Sequence, residues 1–242
     1  MLFSHTAVAG SFRHHAIAPL KSVADYSRFC LRDLPRLVDA PFVLIVQWDG
    51  YIVAPEEWAN GFRKYDYIGS VIHRPDVGTL VGNGGFSLRS RKLQKALLAL
   101  PPTGDLAEDE VIYRVFRKRL ETEFGIRFAP VKMAERFSYE DQFPGHRTFG
   151  FHGPPNLWRH ENDEVIIDIA RRMRESWRLS FNYFGLLANC VVFDRRSLAE
   201  ALYALAREGA SSAQLRMAMA LTLPRNIVEP VLAELEASYG AK

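Results

Sequence analysis

The sequence predicts an α/β fold: a mixed sheet flanked by helices, followed by an all-helical C-terminal extension. The run Phe42-Val43-Leu44-Ile45-Val46 is apolar, rich in β-branched residues and bounded by Pro41 and Gly50, as expected of a strand buried on both faces. Segments with apolar residues at helical spacing flank it, such as Tyr26, Phe29, Cys30, Leu34, Leu37 and Val38. After Trp158 the character changes, and from Asn162 onward the chain reads as helix. These shifts divide the chain into domains 1–158 and 159–242.

The length of 242 residues suits one large domain or one domain with an appendage. The net charge of +3 is too small to argue for nucleic acid by itself. Cys30 and Cys190 lie far apart and outside any metal-ligand spacing, which argues against a disulfide framework and for a reducing compartment. There is no apolar run of membrane-spanning length and no basic-then-apolar start, so the cytoplasm is the expected location.

Taken in order, Leu2-Phe3-Ser4 reads as a strand and the stretch around Arg13, His14 and His15 as a polar loop. Ser22-Val23-Ala24-Asp25 fits a capping box, and Pro35 should kink or shorten the helix that follows. The strand at Phe42 runs into Gln47-Trp48-Asp49-Gly50. In an open α/β sheet, ligands collect beyond the carboxyl ends of strands, so Asp49 is well placed to grip a divalent metal. The plainer alternative is an Asp-Gly turn after a core strand. Pro55-Glu56-Glu57-Trp58 opens a short helix, Tyr65 to Gly69 is a short strand, and 73–80 reads as a loop.

Gly82-Asn83-Gly84-Gly85 is the second unusual stretch. Its glycines allow positive φ or a close backbone approach, while Phe86 and Leu88 then alternate with Ser87 and Arg89 as in a strand. The alternative is a glycine-rich turn into an edge strand. The stretch is neither a dinucleotide-binding fingerprint nor a P-loop. Ser90 caps a helix carrying Leu93, Ala96, Leu97 and Leu100. Another helix starts near Leu106 with Glu108, Asp109 and Glu110 in its first turn, where acids also serve simply as dipole partners. Gly125 ends it, and a short strand is expected over 126–129. Phe149-Gly150-Phe151-His152-Gly153 sets one His among aromatic and glycine neighbours.

Together, Gln47-Trp48-Asp49, Gly82-Asn83-Gly84-Gly85-Phe86-Ser87-Leu88-Arg89-Ser90, Glu108-Asp109 and the His152 loop resemble a bacterial and fungal family of uncharacterised glycosyltransferase-like domains. The resemblance covers roughly residues 22–153. Their order is similar to that of β-1,4-galactosyltransferase-type enzymes, which implies a GT-A-like, Rossmann-like sheet. It also implies roles. Asp49 and His152 would ligate Mn²⁺ or Mg²⁺. Gln47, Trp48, Asn83, Gly84 and Gly85 would contact the donor. Asp109 would be the general base of an inverting enzyme, with Glu108 holding the acceptor hydroxyl. At a helix N-terminus Asp109 is expected to stay ionised.

The implied activity is metal-dependent transfer of a sugar from a nucleotide-sugar donor, UDP-sugar favoured, to a glycan or lipid-linked acceptor. The sequence departs from the pattern at Gln47, which stands where an acid would be. Met1 to His5 resembles the fold's second strand, so the domain is expected to be N-terminally truncated, with Ser4, His5 and Arg13 as substitute nucleotide contacts.

Two other function classes fit the residues. One is a non-catalytic binding or scaffold domain of the same fold. The other takes 212–235 as a helix-turn-helix-like unit for DNA or protein, although its second helix, 225–236, carries one Arg and three Glu, a poor match to phosphates. Arg171, Arg172, Arg174 and Arg178 form either a solvated helix face or a peripheral contact with an anionic membrane. The apolar stretch 181–193 suits an interface as well as a core.

Overall fold

The structure, a computed structural model, describes residues 1–74, 78–140 and 142–240. The chain divides into two units, Met1–Val46 with Ala54–Phe149, and Gln47–Val53 with Gly150–Lys242. This division falls elsewhere than the boundary between 158 and 159 drawn from the sequence. Residues 47–53 and 150–158 go with the helices because Phe151 N donates to Tyr51 O (3.2 Å) and Ile52 bridges Gly150.

In the first unit, β1 (Leu2–Ser4) pairs in parallel with β2 (His14–Ala16), so His14 and His15 lie in a strand rather than a loop. α1 (Val23–Arg28) starts with Ser22 Oγ accepting from Asp25 N (3.1 Å). The return bond differs from a capping box: the Asp25 carboxylate accepts from Lys21 N (3.0 Å), and that bond lowers its pKa. A π-helical turn, Phe29–Asp33, carries the helix into α2 (Leu34–Leu37), so Pro35 falls in a first turn, where a missing N–H is tolerated.

β3 (Phe42–Val46) and β4 (Tyr67–Ile68) are followed by a hairpin of β5 (Val71–Arg74) and β6 (Gly78–Val81), then by β7 (Phe86–Ser90). The hairpin occupies the stretch expected to be a loop, of which 75–77 lie outside the described residues. The main sheet has the order β3-β7-β4, and both pairings are antiparallel. Its one parallel element is a bridge from Tyr67 to Phe128, which is what the strand expected over 126–129 amounts to. The α/β class stands.

The strand expected to be buried on both faces is not the middle one. β7 is buried along its whole length, whereas in β3 only Ile45 is buried and Val46 is 49% exposed. β7 pairs on both sides; β3 pairs only with β7 and is an edge of this sheet.

α3 (Arg91–Leu98) leaves the end of β7 directly. Ser90 Oγ accepts from Leu93 N (3.1 Å) as its N-cap and donates to Asp66 Oδ1 (2.7 Å). α4 (Glu108–Glu110) continues through a π-helical turn, Val111–Val115, toward α5 (Arg117–Phe124), which Gly125 ends at φ 60°. α6 (Val131–Phe137) supplies Phe137, whose ring packs 5.2 Å from Phe62, 5.3 Å from Phe86 and 5.7 Å from Phe149. These rings and Leu93, Leu97, Ile112 and Leu120 form the core.

The second unit is helical as expected: α7 (Asp163–Arg172), α8 (Phe181–Val192), α9 (Arg196–Arg207), α10 (Ser212–Thr222) and α11 (Arg225–Gly240). Asn162 Oδ1 caps α7 by accepting from Val165 N (2.9 Å). The 181–193 stretch is mostly core. Tyr183, Phe184, Leu186 and Leu187 are buried, and Phe181, Asn182, Val192 and Phe193 at its ends are exposed. Among the described residues, no helix is long and apolar enough to cross a membrane.

Ser90→Ala removes a helix cap and the hydroxyl donor to buried Asp66 together. Urea unfolding should show a loss of about 2 kcal/mol, more than the roughly 1 kcal/mol of a cap alone.

Candidate functional site

The residues singled out in the sequence form two clusters, one in each unit. In the first unit the cluster is built on β7. Arg89 is only 1% exposed, on the strand's polar face. Its Nη2 lies 2.8 Å from Glu108 Oε2 and 2.9 Å from Oε1, and its Nε donates to Ser87 Oγ (3.0 Å). Burial alone would favour a neutral guanidine, but the facing Glu108 outweighs it and holds Arg89 charged, its pKa above the usual value. Below the guanidinium, at 5.5 Å, lies the ring of Tyr67, whose hydroxyl reaches the carbonyls of Gly82 (2.8 Å) and Asn83 (2.9 Å).

One of the glycines, Gly84, serves this packing. Gly82, Gly84 and Gly85 all lack a left-handed φ. A Cβ on Gly84 would meet Glu108 Oε1 at 2.3 Å, Asp109 Cβ at 2.8 Å and Arg89 Nη2 at 2.9 Å. Gly84 is thus a glycine because the ion pair packs against it, and both it and Gly85 are buried. Asn83 is occupied as well, its Nδ2 donating to Glu140 Oε2 (2.6 Å) and its Oδ1 accepting from Phe86 N (3.3 Å). Glu108, expected to hold an acceptor hydroxyl, is instead ion-paired with Arg89.

Asp109 is half-buried beside this pair. Its Oδ2 accepts from Gly84 N (3.2 Å) and its Oδ1 from Glu110 N (2.7 Å). The helix terminus does not hold its pKa down, although the group still ionises below neutral pH. Burial, and next the charge of Glu108, push it up from 3.8 to about 6, against those two backbone bonds.

In the second unit the cluster is Gln47, Asp49 and His152. The chain turns sharply after β3, with Gly50 N donating to Gln47 O (3.2 Å). A Cβ on Gly50 would strike Phe151 O at 2.6 Å, so this glycine lets the turn lie against the His152 segment. His152 Nε2 donates to Gln47 Oε1 (3.1 Å) and lies 3.4 Å from Asp49 Oδ1. His152 O accepts from Asn156 Nδ2 (2.7 Å), which fixes the loop. Asp49 and His152 are both buried, and Asp49 Oδ1 has no hydrogen-bond partner.

An orphaned buried carboxylate oxygen beside an imidazole nitrogen and an amide oxygen fits a hard divalent cation such as Mn²⁺ or Mg²⁺. The set is incomplete: among the described residues, no three His, Cys, Asp or Glu side chains gather as a metal site. The remaining positions would fall to water or a ligand's phosphate oxygens. Trp48 points elsewhere, its ring edge-on to Trp177 at 5.8 Å.

Residues 11–152 match the family described as a protein of unknown function, DUF5672. The chain belongs to DUF5672. The matched span of DUF5672 contains both clusters and leaves 153–242 outside. No curated protein and no solved structure matches the chain.

Other candidates are engaged elsewhere. Ser4 Oγ donates to Thr6 O (2.6 Å). In the helix-turn-helix-like stretch, Arg216 pairs with Glu229 (2.6 Å) and Glu236 (3.2 Å). Arg178 is held by Ala170 O (3.2 Å), Leu205 O (3.2 Å) and Glu208 (2.9 Å). The sequence pointed neither to Arg89 as buried nor to Tyr67 and Ser87 as its supports. The only signal was the polar alternation of Ser87 and Arg89.

Glu108→Ala strands a buried guanidinium and should cost on the order of 3–5 kcal/mol in urea unfolding. Combining Glu108→Leu with Arg89→Met should recover much of that loss, because no charge is then left buried. Asp109 gives a second, pH-dependent signature. Its raised pKa means the folded chain holds the proton more tightly than the unfolded chain, so ionisation erodes stability as pH rises from 3.8 to about 6. Asp109→Asn should therefore be more stable than wild type near neutral pH, by on the order of 1–3 kcal/mol. Unfolding at about pH 4.5 should show that gap shrunk by more than half.

Proposed function

We propose that this DUF5672 protein is a metal-dependent glycosyltransferase of GT-A type. It would act with inversion, moving a sugar from a nucleotide-sugar donor, UDP-sugar favoured, to a glycan or lipid-linked acceptor. The observation that carries this reading is the buried, unpartnered Asp49 Oδ1 beside His152 Nε2 and Gln47 Oε1. A buried carboxylate oxygen without a donor costs stability, and its retention argues for a ligand.

Asp49 and His152, with the Gln47 amide oxygen, would hold the cation. Bound there, the cation would supply charge neutralisation for the diphosphate leaving group. Asp109 is the base. It takes the proton of the acceptor hydroxyl as that oxygen bonds to the anomeric carbon and the bond from that carbon to the diphosphate breaks. A pKa of about 6 leaves Asp109 ionised at neutral pH yet more basic than an ordinary carboxylate. Glu108, neutralised by Arg89, positions the helix start that carries Asp109. Two free, buried cysteines accord with a cytoplasmic location.

A non-catalytic binding domain of the same ancestry is the second reading. It is favoured by Gly84, whose side-chain space is filled by the chain's own ion pair.

Thermal melts with UDP and GDP, with and without Mn²⁺, test both readings. A ligand present at a hundred times its Kd should stabilise the fold by about 2.7 kcal/mol. The transferase reading expects a Mn²⁺-dependent rise in Tm that Asp49→Ala abolishes. It also expects Asp109→Asn to keep that rise while donor turnover falls by at least about a hundredfold. A chain that ignores Mn²⁺ with every nucleotide would be the binding domain.

A further inference from the structure

Within the second unit, Trp48 and Asp49 part company: the carboxylate turns to His152 and the indole turns outward. Trp48 is 52% exposed, a large apolar surface to leave in water. Its ring is not loose. It meets Trp177 edge-on at 5.8 Å, and Trp177 in turn stands edge-on to the buried Tyr183 at 5.1 Å. This makes a stiff aromatic ledge backed by the core of the unit.

Beside it lies an open cavity of about 470 Å³, lined by Arg172, Met173, Arg174, Ser176 and Trp177. Arg174 is exposed and makes no ion pair among the described residues. Arg172 pairs with Asp168 (2.8 Å) on the exposed helix face and keeps further N–H groups to donate. Indole faces beside one free guanidinium and one with N–H groups to spare suit a ligand with a flat ring at one end and phosphates at the other.

We infer that the face formed by Trp48, Trp177, Arg172 and Arg174 binds a nucleoside diphosphate, its base stacking on the indoles and its phosphates meeting the guanidinium groups. The ligand class rests on the proposed donor chemistry, while the face itself is argued from its own geometry. An open site of this volume has room for the ring and phosphates of a nucleotide, and a lipid surface is the alternative that the vesicle arm of the test separates. Trp48 adjoins Asp49 in the chain, so the same strand end would serve base and cation.

The test is tryptophan fluorescence titration of the full chain with UDP, GDP, ADP and inorganic pyrophosphate, all in EDTA. Nucleoside diphosphates should quench the fluorescence saturably. Arg174→Ala and Trp48→Ala, both at exposed positions, should each weaken binding by about tenfold with little change in Tm. Pyrophosphate should bind at least about tenfold more weakly than UDP, because it offers nothing to the indoles. Asp49→Ala should leave this metal-free binding intact. If that binding persists but Mn²⁺ never strengthens it, the transferase reading fails and this inference stands. Three results would overturn the inference: no metal-free nucleotide binding, binding indifferent to both variants, or pyrophosphate matching UDP. Capture of phosphatidylserine vesicles that is lost in both variants, with no nucleotide binding, would overturn it in favour of a membrane-docking face.

Discussion

A guanidinium buried in the middle strand of a small sheet needs an opposite charge within reach, and Arg89 finds it in Glu108. Much of the first unit's local design follows from that pair. Glu108 must begin a helix that faces the strand, so the chain from α3 to α4 has to return to β7. Gly84 must carry no side chain, because the pair fills the space where a Cβ would stand. Ser87 and Tyr67 complete the shell, one as an acceptor for Nε and the other as an aromatic floor. A buried pair of this kind adds little net stability over an apolar substitute. Its effect is to forbid other registers, in which either charge would be left alone.

The pair also sets the chemistry of its neighbour. Asp109 follows Glu108 in sequence and shares its burial, so it meets a low-dielectric surrounding and a negative charge at once. Two backbone N–H groups oppose the resulting shift without cancelling it. The outcome is a carboxylate fixed in position with its pKa moved toward neutrality, the property a general base needs. Asp49 illustrates the opposite case. Its Oδ1 has no hydrogen-bond donor, which is a local cost the fold bears for no packing reason visible around it. One cluster is complete in itself and perturbs an acid; the other leaves a buried carboxylate oxygen without a hydrogen-bond partner.

Much of the fold was legible locally. Caps at Ser22 and Ser90, the helix stop at Gly125 and the change to helix from residue 162 all follow from residues within a turn of one another. The candidate site was legible in part. Gln47, Asp49 and His152 were associated through a family resemblance, and they do come together. The glycines around Asn83 stood out as unusual, and the close approach expected of them is there: Glu108, Asp109 and Arg89 crowd Gly84, and Ile72 and Tyr113 crowd Gly82, whereas no positive φ is used.

What the sequence by itself determined is therefore the α/β class, the helical C-terminal third and several helix ends, since periodicity and capping are short-range. Only the tertiary structure decided that β7 rather than β3 is the middle strand, that Arg89 is buried and that Asp109 is pushed to about 6. Burial depends on how many strands pair with a given one, and that is set by partners tens of residues away. An apolar pattern cannot reveal it, because an edge strand rich in Val and Ile and a middle strand carrying Ser and Arg each contradict the pattern their position would suggest.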